Sequence, residues 1–399
     1  MCVLILSRRL GPEWSADAER LRALERWIAV AGYDPLIVAT ESREVGSREP
    51  GIWPAVIRAT KIACHAGGLG PVCLVVVAGC DPSLLLAARL CRAWRGWPFV
   101  IDEEADSSSS ATEADARGGR SFAWFLNWAR RRSRAEAAAV ITTRESGVDD
   151  SIAPALGTAL AAVRKVTIRH SVDLEEWRPA PRSTPFRALW NCRDRFVCGA
   201  PGGPVASTHS QMLLNAAEQL SNQHRDDIQF WIVPDAESSV SWEQAVARRR
   251  LENVRVVGRP PRATLPRLVA SCDAWLCSPA QVAGSSLRSD VLSLMALGVP
   301  VLAPAQGAML DQILDADAGL GVVPGSPESL LDGLEELRQF PEACRGGRQY
   351  VAERNDAERI AADWERLMDS VGLPVRVPMS RRSATVRPAS AAWTERDAA

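Results

Sequence analysis

Short apolar runs alternate with stretches of helical periodicity from one end of the chain to the other. In the first half the runs cover residues 3–7, 35–39, 72–78, 98–102, 138–142 and 166–170, with helical patterns at 16–31, 83–94 and 122–137 between them. Successive positions in these runs are apolar, rather than every second one, so both faces of each strand are expected to be covered. Parallel strands joined by covering helices give this signature. A second series follows at 196–200, 228–233, 254–258, 274–278, 300–303 and 321–323, again with helices between its members. The pattern predicts an α/β protein made of two doubly wound parallel sheets in tandem.

Residues 175–195 carry three prolines and no clear periodicity, which places the boundary between the halves there. The expected division is a first domain over 1–178, a linker over 179–195 and a second domain over 196–355. A helix over 356–372 is expected to return toward the first domain, and 373–399, rich in Ser, Arg, Ala and Pro, to form a disordered tail. Helical segments are read at 328–340 and 341–370. The polar stretch up to Arg120 follows the strand ending at Asp102, so it overhangs the carboxyl edge of its sheet, where ligands of such folds bind.

A length of 399 residues suits two domains, since one hydrophobic core rarely grows so large. With 47% apolar and 24% charged residues and a net charge of −1, the chain is neither a disordered polyion nor a nucleic-acid-coating protein. The ten cysteines are scattered and several lie in strand-like runs, which reads as buried thiols in a reducing compartment. No Cys-x-x-Cys pair occurs and His65, His170, His209 and His224 are isolated, so no zinc ligand set is expected. The apolar run at 2–6 is too short for an export signal, and no stretch reaches the roughly 18 to 20 apolar residues that cross a bilayer. The expected location is the cytoplasm, with any membrane contact peripheral.

Four segments carry a resemblance. Residues 166–179 keep Val172-Asp173 and Trp177-Arg178-Pro179, and Asn253 to Gly258 is followed by Leu265-Pro266. Met295-Ala296-Leu297-Gly298-Val299-Pro300-Val301 comes next, and then Ala318-Gly319 with the run from Val322 to Pro327. In this order and spacing they resemble the GT-B glycosyltransferases, specifically the retaining glycosyltransferase family 4 (group 1). The resemblance implies two Rossmann-like domains facing each other across a cleft that holds a nucleotide-sugar, a UDP- or GDP-sugar. It also implies that no metal or other cofactor is bound, and that the sugar passes with retention to a saccharide or lipid-linked acceptor in glycan or glycoconjugate biosynthesis.

Such a transfer needs amides and cations around a diphosphate leaving group. Gly199, Gly202 and Gly203 lie at the first strand-to-helix turn of the second domain, where glycine lets backbone N–H groups approach phosphate; an ordinary tight turn is the alternative. The Arg and Lys that follow this turn in the family are absent. Its two glutamates, eight positions apart, are replaced by Ser285 and Ser293. A neutral hydroxyl gives roughly half the bond strength of a carboxylate. Arg288, after Gly284, Ser285 and Ser286, is the substitute cation for the diphosphate, or else a solvated surface arginine, and Gly258 and Arg259 complete the expected donor side. In the first domain the candidates are Arg8 and Gly11 after the first strand, then Asp102, Glu103 and Glu104 at the end of the fourth. A carboxylate there can orient an acceptor hydroxyl, or can serve as a helix cap or surface charge. Asp102 joins Arg288 as the catalytic pair, and His170, at the strand end before the linker, is either an acceptor-side residue or a structural histidine.

Residues 121–136 combine Phe122, Trp124, Phe125 and Trp128 with Arg130, Arg131, Arg132 and Arg134. This helix can lie on an anionic membrane or pack its aromatics into the core. The missing charged positions leave a second function open, a catalytically silent GT-B protein that partners an active transferase. A sugar-nucleotide epimerase of the same architecture is a third, which the sparse histidines disfavour.

Overall fold

The computed structural model describes residues 1–7, 16–39, 56–57, 59–61, 71–103, 119–143, 164–181, 185–234, 238–258, 260–279, 281, 287–340 and 342–373. They fall into two compact units, one of Met1–Gly11, Asp17–Arg169 and Glu358–Ala399, the other of Pro12–Ala16 and His170–Ala357.

The first unit is built on strands β1 (Cys2–Ser7), β2 (Asp34–Ala39), β3 (Val72–Ala78), β4 (Phe99–Asp102), β5 (Ala139–Thr142) and β6 (Lys165–Thr167). They form one parallel sheet in the order β2-β1-β3-β4-β5-β6. Every residue of β1 and β4 is buried, as their unbroken apolar runs require of strands covered on both faces. The helices are α1 (Ala16–Val30), α2 (Pro82–Arg95) and α3 (Gly119–Glu136). Asp81 starts α2 by accepting the Ser83 amide at 2.8 Å, with Pro82 at the first helical position, and Gly96 stops it at φ 72°.

The second unit carries β7 (Phe196–Gly202), β8 (Ile228–Pro234), β9 (Val254–Val256), β10 (Ala274–Leu276), β11 (Val301–Ala303) and β12 (Gly319–Gly321), again all parallel, in the order β12-β11-β10-β7-β8-β9. Its helices are α4 (Pro185–Leu189), α5 (Thr208–Asn222), α6 (Ser239–Arg249), α7 (Leu265–Val269), α8 (Ser289–Ala296), α9 (Ala308–Asp315), α10 (Pro327–Gln339) and α11 (Gly347–Arg354). The segment before β7 is fastened by Arg187 of α4, which is buried. Its guanidinium pairs with Asp273 and donates to the Ser271 carbonyl at 2.7 Å and the Arg195 carbonyl at 2.9 Å. A cation so enclosed is tolerable only because carboxylate and carbonyls surround it.

The pattern over 341–370 reads as one helix, and the structure divides it into α11 and α12 (Ala357–Ser370). At the break, Asp356 forms a parallel bridge with Val172, and the Asn355 side chain donates to the His170 carbonyl at 2.8 Å. These bonds to a segment 185 residues away hold the backbone out of the helix, a constraint local periodicity does not carry. From Glu358 onward the chain belongs to the first unit, where Trp364, Leu367 and Met368 line a small cavity together with Val3, Trp27 and Val76.

Candidate functional site

In an open parallel sheet, ligands bind outside the carboxyl ends of the strands where the strand order reverses. In the second unit that point lies between β7 and β10. β7 leads through Gly203 into α5, whose N-cap Ser207 accepts the Ser210 amide at 3.2 Å. β10 leads through Ser278 and Gln281 to α8. Ser278 and Gln281 brace this loop: the Ser278 amide donates to Gln281 Oε1 at 2.8 Å and the Gln281 amide to the Ser278 hydroxyl at 3.3 Å.

Arg288 is the N-cap residue of α8, with extended backbone at φ −86° and ψ 159° and a partly buried side chain. It is therefore not a solvated surface arginine. Its Nε lies 3.9 Å from Asp290 Oδ1 in the buried first turn. Burial pushes the Asp290 carboxyl up, and Arg288 draws it back toward ionisation. The start of α8 thus combines the positive end of a helix with a guanidinium, an arrangement suited to an anion. The sequence pattern did not single out Asp290, although an acid in the first turn of a helix after a strand was available as a signal.

His170 is also brought to this helix, with Nδ1 3.0 Å from the Ser289 hydroxyl. The Ser293 hydroxyl, one turn on, donates to the Ser289 carbonyl at 2.7 Å and is buried. It is held by its own helix. Cys198, inside β7, and Cys277, just after β10, are buried, and burial pushes the Cys198 thiol up to about 12. A thiol so raised is no nucleophile at neutral pH.

The glycine run divides by packing. Gly199 lies inside β7, and a Cβ there would sit 2.3 Å from the Trp275 ring and 2.9 Å from Cys272 Sγ, so this glycine admits a core indole and is no part of a phosphate turn. Gly202, the last residue of β7, would meet Ile232, Pro234 and Trp242 within 3 Å. Gly203 alone of the three faces open space. Its carbonyl accepts the Trp242 indole N–H at 2.8 Å, which fixes the turn. Gly258 is exposed with open space around its Cα. Arg259, Gly284, Ser285 and Ser286 lie outside the described residues.

On the first unit, Asp102 is neither cap nor surface charge. It is buried at the end of β4, and Arg20 of α1 grips it with Nε at 2.7 Å and a second nitrogen at 2.8 Å. Both carboxylate oxygens are thereby occupied in a bidentate internal pair, the reverse of an exposed acceptor-orienting group. Glu103 beside it is half-buried and accepts Arg134 at 2.6 Å. Arg8, Gly11 and Glu104 lie outside the described residues. Among those described, no group of metal-ligating side chains is present and no helix is long and apolar enough to cross a membrane.

Residues 203–340 match the family model described as Glycosyl transferases group 1. Sucrose-phosphate synthase from Thermosynechococcus elongatus superimposes with a TM-score of 0.68 at 14% identity, covering 93% of this chain and 99% of its own. HepE from Anabaena, solved in complex with UDP-glucose, gives 0.66 at 16% identity over 93% and 100%. The fold is GT-B. A UDP-N-acetylglucosamine 2-epimerase superimposes at 0.57 with 12% identity over 93% and 96%, so the GT-B frame alone does not separate one activity from another. A search of curated proteins finds no match.

Proposed function

We propose that the chain is a retaining glycosyltransferase of the family 4 type. The second unit would take the nucleotide-sugar, a UDP- or GDP-sugar, and the first the saccharide or lipid-linked acceptor, in glycan or glycoconjugate assembly in the cytoplasm. The observation that carries this reading is Arg288 at the head of α8, beside the reversal of strand order between β7 and β10. The group 1 match covers β10 and α8. There Arg288 and the α8 amides face the developing charge of the leaving diphosphate, and the Gly203 amide lines the neighbouring turn. No residue here needs a metal to do this. A lipid-linked acceptor would be met at the inner face of a membrane, through residues 121–136. The test is incubation with a panel of UDP- and GDP-sugars and glycan acceptors, with the anomeric configuration of any product read by NMR. Transfer with retention supports the proposal, and transfer with inversion contradicts it.

Ser293 favours a second reading. Its hydroxyl is spent on the Ser289 carbonyl, where the family's glutamate would hold ribose. A silent GT-B protein that partners an active transferase would tolerate this, and it would give no product with any donor while still binding its partner.

A further inference from the structure

On the first unit, α2 and α3 are linked by Arg89, which donates to Glu136 at 2.9 and 3.1 Å and sets its guanidinium 5.5 Å from the centre of the Trp128 ring. Along α3, Leu126, Ala129 and Ser133 are buried, whereas Trp124, Trp128, Arg131 and Arg132 turn outward. Spacings of four, seven and eight residues put these four side chains on one stripe of the helix. Trp124 is 68% exposed and Trp128 42%, and at the end of α2 Trp94 is 70% exposed. Indoles are normally drawn inward by their large apolar area, so the two left in water along the α3 stripe mark a surface awaiting a partner. The stripe is also held in shape, since Phe125 stacks on Trp128 at 5.8 Å.

The charge identifies the partner. Every charged residue of α2 and α3 is an arginine except Glu136. Arg130 and Arg134 turn toward the Cys80 carbonyl and Glu103, while Arg131 points outward and Arg132, although paired with Glu136 at 2.8 Å, stays 58% exposed. We propose that the outward stripe of α3, carrying Trp124, Trp128, Arg131 and Arg132, docks on an anionic lipid membrane. The indoles sit at headgroup depth with their rings toward the acyl chains, and the guanidiniums pair with lipid phosphates. A duplex nucleic acid or an acidic protein would engage the arginines but offers no such apolar bed for the indoles. The proposal deepens the lipid-acceptor reading above, yet it rests on this surface alone, so it stands or falls independently of nucleotide binding.

The experiment is co-sedimentation of the full chain with vesicles of phosphatidylcholine alone and of phosphatidylcholine mixed with phosphatidylglycerol. Binding to the mixed vesicles only is expected, weakening as salt rises. Arg131→Glu with Arg132→Glu should lower the partition at least about tenfold, and Trp124→Ser with Trp128→Ser should do so comparably. These side chains face water, so far-UV circular dichroism should be unchanged, and lipids with brominated chains should quench the wild-type tryptophan emission. Absence of binding, equal binding to neutral vesicles, or loss with the arginine pair but not the tryptophan pair would each overturn the proposal. The last outcome would point to a soluble polyanion.

Discussion

His170 Nδ1 lies 3.0 Å from the hydroxyl of Ser289, and both side chains are buried. Ser289 opens α8, and its carbonyl accepts Ser293. The His170 carbonyl accepts Asn355, beside the bridge from Val172 to Asp356. One short network therefore anchors the helix end that carries Arg288. Replacing His170 by leucine should cost about 1 to 3 kcal/mol, the usual range for orphaning a buried hydroxyl. It should also speed amide hydrogen exchange across the first turn of α8 more than across α5. Uniform exchange in both helices would show that the pair does not fix the site.

The Arg20–Asp102 pair separates structure from chemistry. Asp102→Asn leaves a buried guanidinium without its counter-charge, a loss of about 3 to 5 kcal/mol in urea unfolding. Glu103→Gln breaks a half-exposed pair and should cost about 1 kcal/mol or less. A folded Asp102→Asn protein of normal stability and no transferase activity would instead return Asp102 to a catalytic role.

Gly199 and Gly203 should respond oppositely to alanine. At Gly199 the new methyl would overlap the Trp275 ring, and overpacking of this kind costs about 1 to 3 kcal/mol. At Gly203 the methyl meets nothing within 4 Å, so unfolding should be nearly unchanged. Equal losses at both positions would mean that turn geometry, and not the indole, demands the glycines.

His209, near the start of α5, is buried, and burial lowers its pKa to about 4. Its two ring nitrogens have no hydrogen-bond partner among the described residues. An unfolded histidine titrates near 6.5, so between those values the unfolded chain binds the extra proton. Stability is then complete above pH 6.5 and falls as the pH drops toward 4, by up to about 3 kcal/mol from this group. The stability of the wild type relative to His209→Leu, read from denaturant midpoints, should fall as the pH is lowered through that window. Parallel pH profiles would contradict the assignment.

Each of the twelve strands among the described residues overlaps an apolar run read from the sequence, most plainly the central ones, where burial on both faces writes a run that needs no knowledge of the partner strand. Even so, the last strand runs Gly319–Gly321, two residues before the expected 321–323, since its apolar signal continues into the following turn. What local pattern cannot encode is the distant partner. Asp102 ends a strand as a ligand-facing carboxylate would, and only the fold reveals Arg20 from α1 against it. Gly199 looks like part of a phosphate turn until Trp275 is seen in the space its side chain would fill. The break between α11 and α12 is likewise set by Val172. At the donor side, Arg288 was visible as the one cation near the expected loop, whereas Asp290 and Ser289 gained meaning only once α8 was seen to begin there.

The most direct test of the account is calorimetric titration of UDP and GDP into the wild-type protein and into Arg288→Ala. The wild type should bind at least one of them. The variant should bind it more weakly by about 1.5 to 3 kcal/mol, roughly a tenfold to more than a hundredfold rise in Kd, the size of a lost hydrogen bond to a charged group. A folded wild type that binds neither nucleotide, or an Arg288→Ala protein that binds as tightly as the wild type, would contradict the donor site described for α8.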